Sequence, residues 1–174
     1  MVRQNETGKT TEARVRDKLE ELGLEVREPV PDRGVDFVVT SKSGPDRRLL
    51  VQVKGRGKDQ KNRKYRWFQI RTTKRQREEA VRDGLPLCEA WRKKVALVDV
   101  FVFVSERYQE FWIFEASEIE NLIFANRAKY GNRKDNLEGR QAEIDLDVKQ
   151  DGVPLTEMFE RNRNNWEIIT DKLS

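Results

Sequence analysis

Two short apolar segments of this chain carry polar residues whose types could support metal-dependent chemistry. GVDFVVT contains Asp36, and LLVQVK contains Gln52 and Lys54. Aspartate and glutamine can both present oxygen atoms to Mg²⁺ or Mn²⁺, and a nearby lysine can hold water or stabilise an anionic oxygen, as phosphodiester hydrolysis requires. The 174-residue chain has no histidine and one cysteine, which excludes histidine-dependent triads, histidine-ligated zinc and structural zinc.

The alternation of apolar and polar residues predicts where these side chains lie. In extended strands, Asp36 lies on the face opposite to its apolar neighbours, and so do Gln52 and Lys54. An antiparallel turn centred on Gly44 pairs residues whose numbers add to 88, so Asp36 lies opposite Gln52. Opposed Cβ atoms are about 4.5–5.5 Å apart, which lets two side chains share one cation. Asp36 would supply a charged ligand, and Gln52 Oε1 or the Val53 carbonyl a neutral one.

The sequence PDRGVD (31–36), followed by Gln52-Val53-Lys54, resembles the signature of the PD-(D/E)XK nuclease superfamily. Members include archaeal-type Holliday-junction resolvases and Mrr-like restriction enzymes, and the likeness covers roughly residues 8–105. The resemblance implies a restriction-endonuclease-like fold, metal binding by Asp36 and Gln52, and a catalytic Lys54. It also implies that a helix-1 glutamate, here Glu12, completes the metal shell. Gln52 replaces the acidic residue of the signature, as in QxK variants of the Mrr-like branch, and this removes one negative charge.

Helical spacing gives Glu12 separate support. Glu12 precedes Val15 and Leu19 by three and seven residues, so it shares their inward stripe in a helix predicted over residues 10–22. A carboxylate that points toward the core needs a partner. The alternative is that Glu12 occupies the first helical turn only because the helix dipole favours an acid there.

A strongly basic stretch follows, since residues 54–77 contain eleven basic residues and one acid, Asp59. Three aromatic residues, Tyr65, Trp67 and Phe68, are interleaved with the cations, which favours nucleic-acid binding over a solvated loop. Lys74, Arg75 and Arg77 lie in the first turns of a helix predicted over 73–83, where the helix dipole disfavours positive charge. A bound phosphate would reverse this penalty; the alternative is a small cost in stability that a surface position tolerates. The predicted nucleic-acid-binding residues are Arg56, Lys58, Lys61, Arg63, Lys64, Arg66, Arg71, Lys74, Arg75 and Arg77.

The order of the predicted elements indicates an α/β fold with a central mixed β-sheet flanked by helices. The most apolar stretch, residues 95–104, predicts a central strand that is buried on both faces. We predict one nuclease-like domain over residues 1–174, with a core over about 8–130 and an extension over 140–174. The other predicted elements are strands at 35–40, 49–54, 67–72, 111–114 and 142–148, and helices at 117–130 and 155–172.

Two further motifs are weaker. Gly8-Lys9-Thr10 resembles the end of a phosphate-binding loop, but the required earlier glycine would fall at Arg3 and no strand precedes it. Asp147-Val148-Lys149 is a second DxK sequence, on a predicted strand whose alternation places Asp145, Asp147 and Lys149 on a solvated face. We therefore interpret this second motif as unrelated to catalysis.

These observations predict a Mg²⁺- or Mn²⁺-dependent DNA endonuclease. The alternatives are a catalytically inactive DNA-binding protein with the same fold, disabled by Gln52, and a basic RNA-associated protein without a metal site. No apolar run approaches the roughly 18 residues of a membrane span. The absence of a hydrophobic signal region, and the single cysteine, Cys88, favour the cytoplasm. Cleavage of both DNA strands would favour a homodimer.

Overall fold

The computed structural model describes residues 2–30, 34–44, 46–56, 67–105, 110–146, 149–150, 153–155 and 160–174. The strands within these residues are β1 (Leu24–Arg27), β2 (Phe37–Ser41), β3 (Arg48–Arg56), β4 (Trp67–Arg71), β5 (Val100–Ser105), β6 (Glu110–Glu115), β7 (Gln141–Asp145), β8 (Lys149–Gln150) and β9 (Val153–Pro154). The helices are α1 (Val2–Glu21), α2 (Lys74–Arg82), α3 (Trp91–Val95), α4 (Ala116–Tyr130), α5 (Lys134–Leu137) and α6 (Glu167–Leu173), with 3-10 turns at Leu87–Glu89 and Glu160–Asn162.

Five strands form the central sheet, in the order β1-β2-β3-β5-β6. β3 and β5 run parallel, and the other neighbouring pairs are antiparallel. Every residue of β5 is buried, as its apolar sequence predicts. The predicted α/β fold with a mixed central sheet and flanking helices is confirmed.

The sheet separates two apolar layers. On one face, α1 and α6 pack against β3 through Val15, Leu19 and Ile169. On the other face, Phe101 and Phe103 of β5 contact a layer formed by α3, α4, β4 and β7. Among the helices of the described residues, none is long and apolar enough to cross a bilayer.

Several predicted boundaries are wrong. The stretch 95–104 is not one strand, because its first residues close α3 and turn before β5 begins at Val100. In that turn Val98 is buried while Leu97 is 42% exposed, and an apolar run alone does not distinguish a strand from a helix end and turn. The predicted C-terminal helix over 155–172 is divided, since a 3-10 turn precedes α6 and Asn164, with φ of 52°, lies between them.

The strand β4, predicted at 67–72, lies outside the central sheet. It pairs antiparallel with β7 in a separate two-stranded sheet instead of extending the central one. Periodicity identifies a strand and its faces, but the choice of partner depends on long-range packing. Leu22, the last residue of the predicted first helix, lies beyond α1, which ends at Glu21, and is 39% exposed.

Candidate metal and nucleic-acid site

The β2–β3 hairpin has the predicted register. Phe37 pairs with Val51 and Val38 pairs with Leu50, so paired residue numbers add to 88. Asp36 lies directly before β2 and outside these pairs, and its N–H donates to the Val51 carbonyl at 3.0 Å. The hairpin therefore brings Asp36 beside the residues that follow Val51 on β3.

Asp36 and Gln52 contact each other at the end of this hairpin. Asp36 Oδ2 accepts a hydrogen bond from Gln52 Nε2 and another from the Val53 N–H at 2.6 Å. Gln52 Nε2 also lies 3.3 Å from the Val53 carbonyl oxygen. Gln52 is only 3% exposed, and its Oε1 atom has no hydrogen-bond partner within the part of the chain that the structure describes. A buried acceptor without a partner is uncommon in a native fold and indicates a site for a ligand.

Lys54 lies in the same charged cluster. Burial lowers the pKa of Lys54; the negative charges of Asp36 and Glu12 oppose that shift, and the positive charge of Arg71 adds to it. Burial likewise raises the pKa of Asp36, and the charges of Lys54 and Lys94 oppose the rise. Desolvation thus disfavours the charged forms of both residues, a condition common at functional sites.

Glu12 reaches the site from α1. It borders, together with Asp36, a surface pocket whose wall also includes Arg16 and Phe37. The helix approaches β3 closely at Gly55, where an added Cβ would lie 2.8 Å from Thr11 Cβ and closer still to Thr11 Oγ1. Only a glycine at position 55 therefore allows α1 to bring Glu12 this near to the Asp36 side of the sheet.

The side chains present fit a hard divalent cation. Mg²⁺ takes one or two carboxylates together with neutral oxygens and water, and the pocket offers the carboxylates of Asp36 and Glu12. Gln52 Oε1 and the Val53 carbonyl could add neutral oxygens, because Gln52 Nε2 contacts Asp36 and lies 3.3 Å from the Val53 carbonyl. Across the described ranges, no cluster of three or more Asp, Glu, His or Cys residues has the arrangement of a metal site. Neutral oxygens would therefore have to complete the shell here.

One charged residue at this site was missed by the sequence analysis. Lys94 of α3 is only 8% exposed, and its Nζ donates a hydrogen bond to the Gly34 carbonyl. Its charge acts on Asp36. The signal that could have identified it is helical spacing, since Trp91 and Lys94 are three residues apart and are both buried. Assigning the following valine to a strand concealed that helix.

The predicted nucleic-acid-binding residues are only partly described. Arg71 acts electrostatically on Lys54, so one predicted phosphate-binding cation lies beside the site. The Arg56 backbone belongs to β3. Five other predicted cations of the loop lie outside the described residues: Lys58, Lys61, Arg63, Lys64 and Arg66. Pro31, the first residue of the PDRGVD signature, also lies outside them.

The cations at the start of α2 already have partners within the chain. Thr73 and Gln76 form a capping box at this helix end, which satisfies backbone N–H groups that a phosphate could otherwise bind. This arrangement agrees with the alternative in which the chain tolerates these cations at a surface helix end, and phosphate binding here stays a prediction. The contacts are Lys74 with Glu78 at 3.6 Å, Arg75 with Glu79 at 2.7 Å, and Arg77 Nη1 with the Thr72 carbonyl at 3.1 Å.

The prediction that Asp145 lies on a solvated face is wrong. Asp145 is 1% exposed, because β7 pairs with β4 and is covered by α4. Its carboxylate accepts a hydrogen bond from Tyr130 and lies 3.3 Å from Lys129 Nζ, while its N–H donates to Asn126 Oδ1 at 3.0 Å. Asp147, the acid of the second DxK sequence, lies outside the described residues.

Comparison with known proteins supports the fold. No protein-family model and no curated protein sequence matches this chain. Among solved structures, the bacterial homing endonuclease I-Ssp6803I is similar, with a TM-score of 0.51 and 19% sequence identity over 95% of this chain and 90% of that chain. At this identity the likeness establishes the fold alone, so this chain has a nuclease-like α/β fold.

Proposed function

We propose that this protein is a Mg²⁺- or Mn²⁺-dependent DNA endonuclease of the PD-(D/E)XK type. The observation that carries the proposal is the contact between Asp36 and the buried Gln52, with Lys54 in the same partly buried cluster and Glu12 on the pocket that Asp36 borders. The fold supports it, because a solved structure of similar fold is a homing endonuclease. The basic residues that follow β3 would hold the DNA backbone beside this pocket.

Four groups of the chain would hold the cation: the carboxylates of Asp36 and Glu12, Gln52 Oε1 and the Val53 carbonyl. When bound, a divalent cation neutralises charge that develops on the phosphate and lowers the pKa of water, so that hydroxide is available near neutral pH. Burial of Asp36 and Gln52 strengthens their electrostatic interactions, because the local dielectric is lower than in water.

The Gln52 amide has to change its orientation for this role. Nε2 now faces Asp36, whereas Oε1 is buried without a hydrogen-bond partner within the described residues. A half-turn of the terminal amide exchanges the two atoms, and Oε1 would then face the cation that Asp36 also binds. The hydrogen bond to Asp36 thus holds the amide in place until a cation replaces it.

Lys54 would act on the phosphate or on the attacking water. Its ammonium can donate three hydrogen bonds, and Asp36 and Glu12 favour its charged form. Arg71 places a second positive charge beside Lys54. Two adjacent cations of this kind would orient a phosphate without reading the base sequence.

Plasmid nicking tests the proposal. Wild type should convert supercoiled DNA to open-circle or linear forms only with Mg²⁺ or Mn²⁺, and Asp36→Ala should lose this activity. The matched control is Asp171→Ala, because Asp171 is exposed on α6 and does not line the pocket that Asp36 and Glu12 border. Equal digestion by wild type and Asp36→Ala would reject an endonuclease site at this position.

Two binding measurements separate the alternative functions. Calorimetry with Mn²⁺ should show binding to wild type and a large loss of affinity in Gln52→Leu, which replaces the amide by an apolar group of similar size. DNA binding without Mn²⁺ binding or cleavage would indicate an inactive DNA-binding protein. Preference for an RNA duplex over a DNA duplex in direct competition would indicate the RNA-associated alternative.

A further inference from the structure

We propose that Lys94 is a positioning residue of this site, which fixes the backbone before Asp36 and places a second buried positive charge against that carboxylate. The inference rests on the proposed function and assigns a role to a residue outside the PDRGVD and QVK segments. Lys94 lies on α3, forty residues after Lys54, so it reaches Asp36 from a different element.

The first argument concerns the backbone just before Asp36. Lys94 Nζ donates a hydrogen bond to the carbonyl of Gly34, two residues before Asp36. Gly34 has φ of 77°, and an added Cβ there would lie 3.0 Å from Lys94 Nζ. The backbone before Asp36 therefore adopts a conformation that favours glycine and is tied to the ammonium of Lys94.

The second argument comes from a comparison with the neighbouring lysine. Lys93, on the same short helix, forms an ion pair with Asp83 near the surface. Lys94 is instead buried, with its ammonium on the Gly34 carbonyl and its charge acting on Asp36. Burial of a charged side chain is unfavourable unless polar or charged partners offset it, so this charge has a role toward Gly34 and Asp36.

The third argument is the charge of the site. The carboxylates of Asp36 and Glu12 face the positive charges of Lys54 and Lys94, with Arg71 beside Lys54, and Gln52 adds no negative charge. A divalent cation would therefore bind against fixed positive charges, while a phosphate group would be attracted by them. Lys94 thus lowers the affinity for the cation alone and favours the state in which cation and phosphate are bound together.

This arrangement gives Lys94→Met two effects of opposite sign. Asp36 Oδ2 keeps its bond from the Val53 N–H, so the carboxylate can still bind a cation, and that cation is no longer repelled by the charge of Lys94. We expect Mn²⁺ binding without DNA to become about tenfold tighter. We expect cleavage at saturating Mn²⁺ to become at least about tenfold slower, as for residues that orient metal ligands, because the Gly34 carbonyl loses its donor.

The test compares Lys94→Met with Lys94→Arg and with Lys93→Met as a control. Mn²⁺ affinity is measured by calorimetry without DNA, and cleavage by plasmid nicking at saturating Mn²⁺. Lys94→Arg, which keeps the charge, should retain the wild-type Mn²⁺ affinity, and Lys93→Met should match wild type in both measurements. Weaker Mn²⁺ binding in Lys94→Met, or wild-type cleavage, would overturn the proposal.

A second measurement needs no substitution at Lys94, in case that variant does not fold. In wild type, the Lys94 ammonium resonance should shift as Mg²⁺ saturates the site, and the shift should be absent in Asp36→Ala. An unchanged resonance in wild type would overturn the role of Lys94. Failure of the endonuclease proposal is distinguishable, since wild type and Asp36→Ala would then cut DNA equally.

Discussion

Two regions of this protein bury charged side chains, and they differ in how fully the chain itself satisfies them. Around β7, Glu143 accepts two hydrogen bonds from Arg133 at 3.0 and 3.1 Å and a third from Gln141 at 3.1 Å. The carboxylate of Asp145 accepts a bond from Tyr130, and both of these buried carboxylates are therefore held by several donors. This region resembles a closed ionic network that joins α4 to β7.

The Asp36 region is arranged differently. Gln52 Oε1 is buried without a hydrogen-bond partner within the described residues. Burial raises the pKa of Asp36 and lowers the pKa of Lys54, which favours the neutral form of each residue. The protein thus leaves part of this cluster unsatisfied. Where the chain itself supplies all the partners of a buried charged group, that group helps to stabilise the fold. Where it does not, a bound cation and phosphate would supply the missing partners. Four predictions test this contrast.

The largest expected effect is at Asp36. Asp36→Asn should reduce cleavage by more than about 100-fold, because even partners outside the ligand shell typically contribute 10- to 100-fold. The free energy of unfolding at neutral pH should not fall, since the variant removes a poorly solvated charge. Nicking assays and urea unfolding measure the two quantities. If Asp36→Asn lost both stability and cleavage, Asp36 would have a structural role like that of the buried carboxylates of β7.

Arg133→Met should have the opposite profile. It removes the Arg133 Nη1 donor from the buried Glu143 carboxylate and leaves Gln141 as a donor; because Arg133 is half exposed, the expected cost is about 1–3 kcal/mol. The expected decrease in the melting temperature is several degrees, with cleavage at 25 °C within about twofold of wild type. Lys134→Met is the matched control, because Lys134 is exposed and only 3.7 Å from Glu138 in a surface pair. A large loss of cleavage in folded Arg133→Met would contradict the division into two regions.

Gly55→Ala should have an intermediate effect, since it acts on the position of Glu12 without changing a charge. The new Cβ would clash with Thr11 and move α1 away from β3. We expect a loss of about 1–3 kcal/mol, as for other overpacked sites, and a several-fold decrease in cleavage. Gly44→Ala is the control, because nothing lies within 4 Å of a Cβ at that position. Equal behaviour of the two variants would show that the approach of α1 has no role in cleavage.

The smallest effect is the pH dependence of stability. The pKa of Asp36 is raised from its ordinary value of 3.8, so its protonated form is favoured in the folded state. This contribution is fully present below the unfolded pKa and is lost as pH rises through the folded pKa. The stability of Asp36→Asn relative to wild type should therefore increase from pH 4 to pH 7. Urea unfolding at both values measures it, and an unchanged difference would mean that burial does not shift the pKa of Asp36.

The local geometry of the site followed from the sequence. Alternation along β2 and β3, with a turn centred on Gly44, fixed the register that places Asp36 beside Gln52, because both strands have one wholly apolar face. The inward position of Val15 and Leu19 on the first helix followed from helical spacing in the same way. These features depend on residues that are close in the sequence.

Other features were decided only by the tertiary structure. The burial of Asp145 depends on the pairing of β4 with β7, and the position of Lys94 depends on the packing of α3 against β4 and α4. Both involve contacts between residues far apart in the chain, where packing outweighs local preference. The sequence determined which side chains share a face of the hairpin; the tertiary structure decided which buried charges are satisfied, because the partners come from distant elements.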